Sequence, residues 1–184
     1  MDHDMPAPTS GGFLHTLFQW LAGDASKSSF PNSLTPPDDE DGENGPRVTT
    51  EEARAALAGK RIVIVEDEGV TQMQLRRTLA HSGLIVAAAA INGHDGVEAV
   101  LRERPDIVLM DIRMPVMDGV EATRQILAEY WVCIIMLTAF SDEEYREQTY
   151  SIGASGYIIK PITSDLLLPR MLKAYRRFPQ GAAP

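Results

Sequence analysis

The sequence predicts an α/β fold, a doubly wound five-stranded parallel sheet with helices on both faces. Three observations predict it. From Lys60 onward, short β-branched runs alternate with stretches of helical period. The strand candidates, such as "IVIV" and "IVLM", are continuous apolar runs, the mark of strands buried on both faces. Five successive strand–helix units need right-handed crossovers, which leaves few topologies.

Each element has its own signal. Ile62–Val65 is a β-branched strand. "GVTQMQLRRTLAHSG" follows as a helix, with Leu75 and Leu79 on one face and Gly83 as its stop. Leu84–Ala89 is the second strand. Val97, Val100 and Leu101 mark the inner face of the next helix. Ile107–Met110 is the third strand, and Val120–Tyr130 is a helix with Ala122, Ile126 and Leu127 inward. Val132–Leu137 is the fourth strand. "SDEEYREQTYSIG" opens a helix with a capping box, Ser141 to Glu144. Tyr157–Ile159 is the fifth strand. Ser164–Phe178 is the last helix, and Pro169 predicts an irregular first turn or a start at the proline itself. The flavodoxin-like strand order 2-1-3-4-5 fits this series best. Such a sheet places its functional crevice at the carboxyl ends of the strands, where strands one and three diverge.

The first 58 residues differ from the rest. They hold ten acidic and three basic side chains, a net of −7 out of the chain's −9. "SSFPNSLTPPDDEDGENGPRVTT" can bury little and reads as a flexible linker. Phe13, Leu14, Leu17, Phe18 and Leu21 recur at helical spacing, so a short amphipathic helix is expected near 13–22. It packs on its own domain or a sister chain, or docks on a partner or a membrane surface. A further helix is expected in "TTEEARAALAG", capped by Thr49 with Glu52 and stopped by Gly59. The expected division is an extension over 1–58 and a folded domain over 59–180.

Composition excludes several classes. No apolar run approaches the ~18 residues of a membrane-spanning helix. The acidic start lacks the basic n-region of a secretory signal. A single cysteine, Cys133, rules out an internal disulfide and fits a reducing compartment, so a cytoplasmic location is expected. The net charge of −9 argues against broad nucleic-acid binding. Arg170, Lys173, Arg176 and Arg177 near the chain end read as solvated complements of a helix C-terminus. The four histidines lack metal-ligand spacing.

The strand ends carry the chemistry. Strand one ends in Glu66, Asp67 and Glu68, strand three in Asp111, strand four in Thr138 and strand five in Lys160; strand two offers nothing evident. Clustered carboxylates repel, by roughly 4 kcal/mol for two charges ~4 Å apart at an effective dielectric near 20. A divalent cation reverses that penalty, and an all-oxygen ligand set with room for water suits Mg2+. Lys160 can pair with Asp111 and then with an added oxyanion. Thr138 can donate a hydrogen bond to the same oxyanion. The set suits phosphoryl transfer to a carboxylate nucleophile.

"IVIVEDE", "DIVLMDIRMPVMDG", "IIMLTAF" and "GASGYIIKP", in that order, resemble the receiver domain of bacterial two-component response regulators over roughly residues 60–178. The stretches "LTAFSDEEYREQ" and "YIIKPITSDLLLP" are also similar to receivers attached to RNA-binding ANTAR output domains. The resemblance implies that Asp111 accepts a phosphoryl group from a histidine kinase or a phosphotransfer protein. It implies that Asp67, Asp111 and the Arg113 carbonyl ligate Mg2+, with Glu66 acting largely through water. Thr138 and Lys160 would hold the phosphoryl oxygens, and Thr138 and Tyr157 would form the switch. Thr138 would move toward the new oxygens and Tyr157 would turn inward to fill the space. Glu66 stands where many receivers have a first aspartate. The helix of residues 141–153, strand five and the last helix form the face that would then dock a downstream partner or a second copy. The resemblance makes the chain a signalling switch rather than an enzyme, and no effector domain is expected after Phe178. Two alternatives stand beside this reading. One is a receiver-fold interaction module that ignores phosphate. The other is an aspartyl-nucleophile phosphatase, although "DIR" puts Arg113 where that class carries a second acid.

Overall fold

The computed structural model describes residues 48–139 and 149–179. Five parallel strands form one sheet in the order β2-β1-β3-β4-β5. They are β1 Arg61–Val65, β2 Ile85–Ala90, β3 Ile107–Asp111, β4 Cys133–Thr138 and β5 Gly156–Ile159. The helices are α1 Thr50–Leu57, α2 Gly69–His81, α3 Gly93–Glu103, α4 Gly119–Glu129 and α5 Ser164–Arg177. The expected strand order and fold class are the observed ones. The helix expected near 13–22, the linker, and the Ser141–Glu144 capping box lie outside the described residues.

The strands are continuous apolar runs because both faces are covered. Every residue of β3 and β4 is buried. Successive side chains alternate between two half-cores. Ile62, Ile64, Ile107, Leu109, Ile135 and Leu137 face α2 and α5. Val65 faces Gly96 of α3, and Thr123 of α4 donates to the Met136 sulfur at 3.5 Å. β2 is an edge strand, half-exposed along most of its length.

Helix α1 starts as the capping signal predicts, with Thr49 Oγ1 accepting from the Glu52 amide at 3.1 Å. Its Ala53 and Leu57, four residues apart, are fully buried in the same core cluster as Leu168, Met171 and Leu172 of α5. Arg176 reaches across to Glu52 at 2.8 Å. Gly83 stops α2 with φ +81, a conformation that favours glycine.

Two local expectations are corrected. The inner face of α3 is Gly93, Gly96, Ala99 and Val100, with Val97 and Leu101 only half-buried. A Cβ on Gly96 would meet the Val65 side chain at 2.7 Å, so glycine sets how closely α3 lies on β1. The last helix neither begins at Pro169 nor breaks there. It runs from Ser164 through the proline, and Leu167, Leu168, Met171 and Leu172 bury its inner stripe. The carbonyl that loses its partner belongs to exposed Asp165, where water can satisfy it.

One glycine positions the chemistry directly. A Cβ on Gly119 would run into the carbonyl of Asp111, and the Gly119 amide donates to the Ile112 carbonyl at 2.9 Å. Gly119→Ala is therefore expected to cost about 2 kcal/mol through overpacking. Urea unfolding of the two proteins side by side measures it. A variant as stable as the parent would mean that the turn after β3 relaxes freely.

Candidate functional site

The strand order brings the charged strand ends to one edge. β1 and β3 are neighbours, with Val65 opposite Met110, and β3 pairs with β4 through Asp111 opposite Leu137. Thr138 ends β4 opposite Ile159, and the Lys160 amide donates to the Thr138 carbonyl at 2.7 Å. Glu66, Asp67, Asp111, Arg113, Thr138 and Lys160 line one cavity of about 210 Å³, together with Glu68. Residues from four strand ends thus meet in one pocket, and the Lys160–Pro161 peptide beside it is cis.

The charges are arranged around the lysine. Lys160 Nζ donates to Asp111 Oδ2 at 2.8 Å and to Glu66 Oε1 at 2.9 Å. It also lies 2.9 Å from Glu66 Oε2, so the ammonium meets both oxygens of that carboxylate. The Arg113 amide approaches Asp111 Oδ1 at 3.4 Å, and the Glu68 amide approaches Glu66 Oε1 at the same distance. Glu66 is fully buried, and Asp111 and Thr138 are nearly so.

Two enclosed carboxylates share one ammonium. Burial pushes the Glu66 carboxyl up to about 7; Lys160 opposes the shift and Asp111 adds to it. Burial also works against the Lys160 ammonium, but its hydrogen bonds to Asp111 and Glu66 outweigh it and hold its pKa above the ordinary lysine value. Enclosure thus raises the cost of ionising Glu66, and the neighbouring Asp111 charge adds to it.

The donor set fits a hard divalent cation. Glu66, Asp67 and Asp111 each offer a carboxylate oxygen, and the three lie within 4.8 Å of one another. Asp67 is exposed toward solvent, which leaves room for water ligands. A second trio, His94, Asp95 and Glu98, also brings ligand atoms within 4.8 Å, so one histidine does have neighbours at ligand spacing. All three are exposed on one turn of α3.

Tyr157 sits on β5 opposite Met136, half-buried, with its ring edge-on to Tyr150 at 6.3 Å. It is outside the pocket lining. Most of the 141–153 helix of the expected docking face lies outside the described residues.

One residue at the site escaped the sequence reading. Gln72 of α2 donates from Nε2 to the carbonyls of Glu66, at 3.1 Å, and Ala90, at 3.0 Å. Strand two therefore does contribute, through a backbone oxygen. The available signal was position: helical side chains tilt toward the helix N-terminus, so a long amide in the first turn after β1 points back at that strand's tip.

A doubly wound sheet with a carboxylate, a hydroxyl and an ammonium converging at its carboxyl edge defines a class of small α/β domains that work at that edge. Comparison with known proteins names the family. The response regulator receiver domain matches residues 62–172, and the chain belongs to that family. Among curated proteins it is similar to the transcriptional regulatory protein PdtaR of Mycobacterium tuberculosis (strain ATCC 25618 / H37Rv). The two are 35% identical over 129 residues, which cover 70% of this chain and 62% of PdtaR. It is 36% identical over 125 residues to the transcriptional regulatory protein DegU of Brevibacillus brevis, covering 67% of this chain and 51% of DegU. The chain thus spans between half and two thirds of the length of these relatives. Among solved structures it resembles a chain of the CheX-CheY-BeF3-Mg+2 complex from Borrelia burgdorferi. There the TM-score is 0.62 at 26% identity, over 64% of this chain and 90% of that one. The protein is thus a receiver-domain member of two-component signalling, a family of regulators. Among the described residues, no helix is long and apolar enough to cross a membrane.

Proposed function

We propose that the protein is a phosphorylation-dependent signalling switch in which Asp111 is the acceptor. The observation that carries this reading is the contact of Lys160 with both Asp111 and Glu66 at the mouth of a solvated acidic pocket. A carboxylate nucleophile needs its charge exposed to the donor and its product stabilised. Asp111 sits at the tip of β3, and Lys160 is already placed to follow the negative charge onto a new phosphoryl oxygen. The donor is a phosphohistidine of a sensor kinase or a phosphotransfer protein. An Asp111 oxygen attacks phosphorus, the P–N bond breaks, and the imidazole leaves as the new O–P bond forms.

Asp67, Asp111 and the Arg113 carbonyl would hold Mg2+, with Glu66 at or just behind them. The cation would neutralise charge on the transferring group. Lys160 and Thr138 would bind the remaining oxygens. Thr138 is drawn toward the phosphoryl group, and Tyr157 turns into the space it leaves. The change reaches β5, α5 and the segment before them as a shift between two existing arrangements. That surface would dock a downstream protein or a second copy. The reading is of a cytoplasmic protein that catalyses its own phosphoryl transfer and dephosphorylation. The division into an extension over 1–58 and a domain over 59–180 remains proposed, with α1 of the extension packed into the core beside α5.

The test uses the full chain with a small acyl phosphate donor and Mg2+. Intact-mass measurement should record one added phosphoryl group per chain, lost slowly, and sizing should report any change of oligomeric state. Many turnovers of a phosphate ester per chain would instead favour the aspartyl phosphatase. Unchanged mass and unchanged partner binding in Asp111→Ala would favour the phosphate-insensitive module.

A further inference from the structure

We infer that Gln72 is a positioning residue for the metal-binding acids, acting on the peptide that joins Glu66 to Asp67. This rests on the reading of the acidic pocket as a Mg2+ site.

Strand pairing between β1 and β2 stops just short of the acids. The last paired residues of β1 and β2 are Val65 and Ala90. One step further, the Glu66 amide still donates to the Ala90 carbonyl at 3.0 Å. Among the described residues the Glu66 carbonyl meets no strand amide that would continue the ladder, because the chain bends after Ala90 and α3 begins at Gly93. Gln72 takes the place of that missing amide. Its Nε2 carries two hydrogens, one for the Glu66 carbonyl at 3.1 Å and one for the Ala90 carbonyl at 3.0 Å. The Gln72 amide in turn donates to the Glu68 carbonyl at 2.9 Å, so the helix start that carries the side chain is tied to the same loop.

Both polar groups of the Glu66 backbone are thereby held. With that peptide plane fixed, the N–Cα bond of Asp67 is fixed as well, which narrows the directions its side chain can take one residue beyond the sheet. Without it, Asp67 belongs to an exposed turn and its carboxylate samples several directions. A cation site loses affinity when its ligands must be ordered at the moment of binding, and outer partners of ligands commonly matter 10–100-fold. The chemistry required of position 72 is narrow: it needs a nitrogen donor with two hydrogens at the reach of a glutamine. A methionine keeps the length but donates nothing. A glutamate presents oxygen to two carbonyls. An arginine keeps both reach and donors.

The experiment titrates Mg2+ alone into the full chain by calorimetry and records the metal-free melting temperature of each protein. Gln72→Met should weaken Mg2+ binding about tenfold or more, and Gln72→Arg should restore it to within about threefold. Should Gln72→Met fail to fold, Gln72→Glu carries the same comparison. A purely structural role would lower the metal-free melting temperature and leave the Mg2+ dissociation constant where it was. That result overturns the inference, as does an arginine variant as weak as the methionine one. Asp67→Asn separates the two levels of the argument. If it binds Mg2+ as the parent does, the pocket reading itself fails, whatever Gln72 does. If it loses binding while Gln72→Met keeps it, only the role of Gln72 is lost.

Discussion

Asp111→Asn should leave the protein folded and unable to take up a phosphoryl group. Asparagine keeps the shape of the side chain at the end of β3 but removes the nucleophilic oxygen charge. Uptake from an acyl phosphate with Mg2+ should fall at least about 100-fold, equivalent to about 3 kcal/mol of barrier. The fold should tolerate the change. Asp111 and Glu66 compete for one ammonium, so removing one negative charge relieves repulsion and leaves Lys160 its bonds to Glu66. Melting of the metal-free variant at or above the parent's temperature would meet that expectation. The downstream half of the switch is tested with beryllofluoride and Mg2+. The parent should change the environment of Tyr157, and the asparagine variant should not. Equal changes in both proteins would remove Asp111 from the role of acceptor. Phosphoryl uptake by the variant at the parent's rate would do the same.

The strand tips could be read because the physics there is local. A run such as Ile107–Met110 must be buried on both faces, and the charge that ends it must sit at the sheet edge. Once β1 and β3 are adjacent, Asp67 and Asp111 have to meet. Other features depend on distances that no pattern carries. Glu66 reads as one of three strand-end acids, yet it is fully enclosed and paired with Lys160, whereas Asp67 beside it is exposed. Only the side-chain alternation of β1, carried one residue past its end, separates them. Gln72 carries no charge and stands in a helix whose legible signals were Leu75 and Leu79. Its role depends on a turn of the chain after Ala90 that its own segment does not encode. Pro169 misled because its local cost is small at an exposed helix start, where the burial of Leu167, Leu168, Met171 and Leu172 outweighs it. Ala53 and Leu57 were legible as a helical pair, but their partner on α5 is more than a hundred residues away.

The enclosure of Glu66 has a measurable consequence for stability. Its carboxyl is pushed up to about 7 in the folded protein, against an ordinary value of 4.5. Below the ordinary value, folded and unfolded chains both carry the proton, and this group contributes its full share of stability. As pH rises from there toward 7, the unfolded chain gives up the proton while the folded chain keeps it, so stability falls. Above 7 both forms are ionised and the loss is complete. The shift corresponds to about 3 kcal/mol at 1.36 kcal/mol per pKa unit, an upper bound because the pocket beside Glu66 is solvated. Lys160 adds no slope in this window. Its pKa is raised from 10.5, so its contribution holds throughout and fades only at higher pH. Metal-free parent and Glu66→Gln, unfolded in urea at pH 5 and pH 8 in the presence of a chelator, isolate the effect as a difference. The parent should lose more stability than the variant between the two pH values, by up to about 3 kcal/mol. Mg2+ should reverse the trend in the parent. Its binding favours the carboxylate, so apparent affinity rises with pH toward 7 and a proton is released on binding. Equal pH dependence in parent and variant would show that Glu66 is ordinarily ionised in its pocket. The charge imbalance around Lys160 would then have to be relieved elsewhere.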